Sequence, residues 1–166
     1  YRKQGELESA AVEYERIADE AGDDELRREA LLEAGELYAE AGVPARAIGV
    51  YERYVERFPE PLELAVETRF AIAELHAELG DAKRQHAQLR TIVAADRRAG
   101  TERTDRIRYL AARSALVLTE GAYDRFAEVA LVQPFEKSLQ EKQRRMDAAL
   151  GAFAKLVDYE VGEVTA

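Results

Sequence analysis

No cysteine occurs among the 166 residues, which excludes disulfide staples, cysteine-ligated zinc and thiol catalysis. That absence suits a reducing cytoplasm and an oxidising periplasm equally well. Only four prolines break the helical periodicity, and strand signals are nearly missing. No apolar run reaches the roughly 20 residues that a membrane-spanning helix needs, so membrane insertion is not expected. Nothing at the N-terminus has the charged, apolar and small-residue order of a signal peptide. Glycine-rich phosphate loops, metal-ligand pairs at helical spacing and a Gly-x-Ser-x-Gly elbow are also lacking, so phosphate, metal and acyl chemistry have no motif. The expectation is a protein that is not an enzyme, with no catalytic residue, cofactor or metal. The sequence opens at Tyr1 in mid-motif and reads as a fragment, with further repeats expected beyond Ala166.

What is present favours helix. Ala, Leu, Glu and Arg are abundant, and these side chains lose little rotamer freedom on a helix. A hydrophobic content of 47% is ordinary for a chain that folds. The net charge of −9 is unevenly spread: residues 1–80 hold 20 acids against 9 bases, whereas 82–113 hold 3 against 9. An acidic protein is a poor candidate for general nucleic-acid binding, which depends on neutralising phosphates with Lys and Arg.

An internal repeat organises the first hundred residues. Gly5, Gly42 and Gly80 close amphipathic stretches at spacings of 37 and 38. Tyr1, Tyr38 and His76 stand four before these glycines, and Tyr14, Tyr51 and Leu89 nine after them. Ala10 and Ala47 each follow by five. The second unit is the clearest: Leu31, Ala34, Gly35, Tyr38, a turn at Gly42, then Ala47, Tyr51, Tyr54 and Pro59. Gly35 and Ala47 lack bulk, which lets two antiparallel helices approach closely, while Tyr38 and Tyr51 fill the space beside them. Pro59 stops the second helix by forcing Phe58 out of the helical region.

This pattern resembles the tetratricopeptide repeat, which implies an all-α, right-handed α-solenoid of antiparallel helix hairpins. The resemblance covers residues 1–98 as part of one repeat, one full repeat and one divergent repeat in which Ala73 replaces Gly and Gln85 replaces Ala. A segment such as Tyr51 to Pro59 before the next helix is similar to repeats of Gram-negative envelope-assembly proteins, which points to the periplasm or envelope ahead of the cytoplasm and to roles in envelope assembly or motility. Residues 99–132 read as a divergent helical hairpin: Thr101 caps a helix to about Thr119, Gly121 ends it, and Ala122 to Leu131 forms a short second helix. Within 133–166, Gln133-Pro134 interrupts, and Ser138 with Glu141 supplies a capping-box signature for a long C-terminal helix. Leu139, Met146, Leu150, Phe153 and Val157 form an apolar stripe on it, expected either to pack on the preceding hairpin or to dock another segment.

The resemblance implies a protein-protein interaction scaffold that receives a partner peptide or helix on a concave face lined by first helices. Outward positions in the second unit are Glu29, Leu32, Glu36, Ala39 and Glu40, and in the third Glu67, Phe70, Glu74, Ala77 and Glu78. Acid, apolar, acid, alanine, acid appears twice. Leu32 and Phe70 would floor a groove flanked by carboxylates, suited to a basic or partly apolar protein or peptide; otherwise the glutamates are a solvated helix face. A clamp for a partner's terminal carboxylate would need basic residues where Glu, Leu and Phe stand. The stretch from Arg84 and Arg90 through Arg97, Arg98, Arg103, Arg106 and Arg108 reads as a solvated corner, or as the contact of a homo-oligomer that meets the acidic first half of another copy. Nucleic acid comes last, because few aromatics interleave with the arginines. His76, in the place of the packing tyrosine, is expected in the core. The competing class is a homo-oligomerisation or docking arm of a larger enzyme or regulator.

Overall fold

The structure is a computed structural model that describes residues 2–162. Among the described residues seven α-helices follow one another, with no strand. They are α1 (Arg2–Glu20), α2 (Asp24–Glu40), α3 (Pro44–Arg57), α4 (Leu62–Glu78), α5 (Ala82–Arg98), α6 (Asp105–Ala127) and α7 (Phe135–Ala154). Short 3-10 turns lie at Gly100–Glu102 and Val157–Tyr159. The chain divides into two compact units, Tyr1–Gln88 and Leu89–Ala166, with the boundary inside α5.

In the first unit the helix ends are written into the sequence. The Asp23 carboxylate caps α2 by accepting from the Glu25 and Leu26 amides at 2.9 and 3.0 Å. Gly42 follows the end of α2 at φ +73°, where its amide donates to the Ala39 carbonyl and the Val43 amide to that of Tyr38. The same pair recurs after α4: Gly80 at φ +72° donates to Ala77, and Asp81 to His76. Both are Schellman endings, whose left-handed residue is cheapest as glycine. Pro44 sits in the first turn of α3, where its missing amide costs nothing. The last residue of α3 is Arg57, and Phe58, held out of the helical region by Pro59, is its C-cap.

The core of this unit follows the repeat. Ala34, Gly35 and Tyr38 of α2 are buried, as are their counterparts Ile72, Ala73 and His76 of α4. Ala47, Tyr51 and Tyr54 of α3 close the layer, and Gln85 is only half-buried. A Cβ on Gly35 would stand 2.2 Å from the Tyr51 ring, so the two helices meet where one side chain is absent. Burial, with Glu15 adding, pushes the Tyr38 hydroxyl up to about 12; burial, with Glu36 and Glu33 adding, does the same for Tyr51. The fold therefore holds both phenols protonated. Their contribution to stability is intact below their ordinary value of 10 and is lost as pH rises through about 12. In an alkaline titration, late tyrosinate absorbance is expected to coincide with loss of helical signal; early, complete ionisation at full helicity would contradict this packing.

Several expectations are corrected. Gly5 does not close a helix, since α1 runs through it. Tyr14 is exposed rather than packed like Tyr51, and Tyr1 lies outside the described residues. Gly121 sits inside α6, which is a single helix where two were expected, and Thr104 rather than Thr101 caps it, accepting from the Ile107 amide at 3.2 Å. One interior glycine costs only about 1 kcal/mol, which packing along a long helix offsets.

In the second unit α7 begins after Pro134, ahead of the expected cap at Ser138. Ser138 lies in the first turn, its hydroxyl donating to the Val132 carbonyl at 2.9 Å and accepting from the Val132 amide. Glu141 turns to Arg144 and Arg145, which hold its carboxyl down at about 2. The helix meets α6 with Ala149 and Lys142, whose ammonium donates to the Val129 carbonyl and lies over the Phe126 ring. Its apolar stripe does not pack on the preceding helix, since Leu139 and Leu150 are 55% and 61% exposed, and Val157, expected on the same helix, lies beyond its end in the second 3-10 turn and is exposed. Leu139→Ser with Leu150→Ser is accordingly expected to change unfolding free energy by no more than about 1 kcal/mol in urea melts, since each is a surface substitution. A larger loss would mean that the stripe is packed.

Candidate functional site

The outward positions of α2 and α4 belong to the same unit, so one compact body presents both rows. Spacings of three and four residues place each row on a single helix face. On α2, Glu29 and Glu36 are exposed, while Leu32 and Ala39 are half-buried against the core. Glu40 is exposed and accepts from the Lys3 ammonium of α1 at 2.9 Å. On α4, Glu74, Ala77 and Glu78 are exposed, and Glu67 and Phe70 are half-buried. The Glu36 and Glu33 charges act on the Tyr51 hydroxyl, tying the acidic row to the interlock beneath it. The Lys3 pair is solvated on both sides, and such pairs contribute only about 0 to 1 kcal/mol, so a cationic ligand can displace it.

Sequence reasoning missed a polar network that joins the first three helices. Glu15 of α1 accepts from the Tyr38 hydroxyl at 2.7 Å and from Arg46 at 2.8 Å, while Arg53 reaches both Glu15, at 3.3 Å, and Asp19. The Arg46 guanidinium also lies 4.4 Å from the centre of the Tyr38 ring. Only the tyrosine's need for a partner at its buried hydroxyl hinted at this. The network ties α1 to α2 and α3 and engages Arg46 and Arg53 with carboxylates of α1.

The arginine stretch is not one undivided patch. Arg84 pairs with Asp81 in the first unit, and Arg108 pairs with Asp105 in the second. Arg103 makes a two-pronged bond to the buried Asp96, at 2.6 and 3.1 Å. His76 is buried with its Nδ1 unpartnered, and His86 is half-buried. Among the described residues no group of three or more His, Cys, Asp or Glu is placed to hold a metal, and no helix is long and apolar enough to cross a membrane.

Residues 29–61 match the family model of the tetratricopeptide repeat. The match spans α2 and α3 and therefore includes Gly35, Tyr38, Gly42, Ala47 and Tyr51. No curated protein and no solved structure gives a significant match to the chain. Proteins built on this repeat are typically interaction scaffolds without catalysis of their own, and their partners are proteins. With the repeat matched in sequence and its glycine-tyrosine interlock formed between α2 and α3, the chain carries a tetratricopeptide repeat at residues 29–61 within an all-α arrangement of helix hairpins.

Proposed function

We propose that this scaffold holds a basic, partly apolar peptide or helix of a partner protein against the first helices of its repeats. The contact residues would be Glu29, Leu32, Glu36 and Glu40 of α2 with Glu67, Phe70, Glu74 and Glu78 of α4. The observation that carries this reading is the recurrence of acid, apolar, acid, alanine, acid on two helices of one unit. Helix propensity alone would supply glutamates, but it gives no reason for an apolar residue at the same place twice. Carboxylate rows steer and orient a cationic partner, while desolvation at Leu32 and Phe70 supplies affinity. An envelope-associated role in assembly or motility is the setting we favour, from the likeness of the Tyr51 to Pro59 segment.

The test is capture of partners from soluble and envelope fractions of a Gram-negative bacterium. The wild-type chain is compared with Phe70→Ala and with a variant carrying Lys at Glu36, Glu40, Glu74 and Glu78. Partners held through this face are expected to be lost by the quadruple variant, weakened at least tenfold by Phe70→Ala, and weakened by raised salt, with helical signal intact. The same partners on all three proteins would reject the face as a site.

A second reading has its own support: residues 1–88 hold 21 acids against 11 bases, and 89–166 hold 12 against 13. The second unit is close to neutral as a whole, but its first stretch, residues 89–113, holds 3 acids against 7 bases, and the acidic first unit of another copy favours association there. Sedimentation would then show oligomers that dissociate in salt; a monomer at every salt concentration would dismiss it.

A further inference from the structure

The second unit contains a cavity that the protein-binding reading does not use. It measures about 780 Å³ and lies among α5, α6, the C-terminal end of α7 and the two 3-10 turns. That falls within the range of pockets that enclose a small organic molecule, about 300 to 1,000 Å³. Its apolar wall comes from Val93, Ala115, Leu118, Ala152 and Leu156. Its polar wall is asymmetric in charge. Arg103 is neutralised by Asp96, yet Arg97 and Lys155 line the same cavity and make no ion pair or hydrogen bond with any described residue. Asp158 supplies one opposing carboxylate, which leaves the lining with a surplus of positive charge. The Tyr159 hydroxyl also makes no hydrogen bond to a described residue, although the side chain is buried. Burial, reinforced by the Asp96 charge, pushes its ionisation up, so at neutral pH the group is a hydrogen-bond donor.

We propose that this cavity binds a small amphipathic carboxylate, with its apolar tail against Leu118, Ala152 and Leu156 and its carboxylate held by Arg97 and Lys155 at the rim. Two cationic side chains and a phenol donor that make no ion pair or hydrogen bond among the described residues fit an anion, and the apolar wall fits a hydrocarbon body rather than a free inorganic ion. Residues 89–113 of this unit, with 3 acids against 7 bases, raise the local concentration of anions. The site lies wholly in the second unit and does not depend on the α2 and α4 face.

Decanoate, used below its micelle concentration, is the probe, with decanol as its uncharged counterpart, and binding is read by titration calorimetry on the whole chain. Decanoate is expected to bind saturably at one molecule per chain and at least tenfold more tightly than decanol. Arg97→Glu with Lys155→Glu, both on exposed side chains, should weaken decanoate at least tenfold while helical signal is unchanged. Ala152→Phe, which fills the cavity, should abolish binding of both probes, and Leu150→Ser on the exposed stripe of α7 should change neither. No saturable decanoate binding, equal affinity for the two probes, or full affinity in the charge-reversed variant would overturn the proposal. Loss of binding in Leu150→Ser would place the tail on the stripe and overturn it as well. Should Ala152→Phe fail to fold, the charge-reversed variant and the decanol comparison still decide.

Discussion

Gly35→Ala is expected to destabilise the first unit by about 1 to 3 kcal/mol in urea melts, and Gly35→Leu by more, through overpacking. Ordinarily the alanine would gain up to about 1 kcal/mol in a helix interior, so the sign of the effect is itself diagnostic. The added Cβ would lie 2.2, 2.6 and 2.7 Å from Cε1, Cδ1 and Cζ of Tyr51. An aromatic ring cannot bend away from such a contact as the end of a lysine can. Tyr51 is buried in the core, so its ring must swing out or α2 and α3 must separate. Gly49→Ala on α3 is the control, because a Cβ there meets nothing within 4 Å and the site is exposed. It is expected to be neutral or to stabilise by up to about 1 kcal/mol. Tyr51→Ala should rescue Gly35→Ala in a double-mutant cycle, by removing the ring that the methyl strikes. A Gly35→Ala chain as stable as wild type would mean that the interlock is not formed.

That interlock was legible in the sequence because its two residues are each unusual for their place. A glycine in mid-helix costs stability unless something fills the gap, and a tyrosine at a fixed distance along the next helix is what fills it. The endings at Gly42 and Gly80 were legible for the same reason, since a left-handed residue after a helix asks for glycine. Gly5 and Gly121 carried the same letter and sit inside helices. Glycine permits a stop but does not impose one, since its cost inside a helix is only about 1 kcal/mol. The stripe on α7 was visible as periodicity, which reports that one face is apolar but not what covers it. In the α2 and α4 rows, sequence named the residues and their common face, while the pairing of Glu40 with Lys3 joins residues 37 apart and left no local trace. The cavity of the second unit was not legible at all. Val93, Leu118 and Leu156 are apolar residues on separate elements, and an unfilled space among them has no signature in any one helix.

The Asp96 and Arg103 pair beside that cavity gives the other large expected effect, and its asymmetry makes it a sharp test. Asp96 is 4% exposed, whereas Arg103 is 38% exposed and can turn to water. Arg103→Ala strands a buried carboxylate without its two hydrogen bonds, and is expected to cost about 2 to 4 kcal/mol, somewhat below a fully buried pair because of the arginine's exposure. Asp96→Ala frees an arginine that rehydrates, and is expected to cost about 1 kcal/mol less than Arg103→Ala. Both should appear as faster amide exchange in α5 and α6, the helices flanking the pair, with the first unit's α2 and α3 little changed. The double variant should be more stable than Arg103→Ala alone, since removing the carboxylate removes the stranded charge. Equal costs for the two single variants would mean that solvent already reaches Asp96.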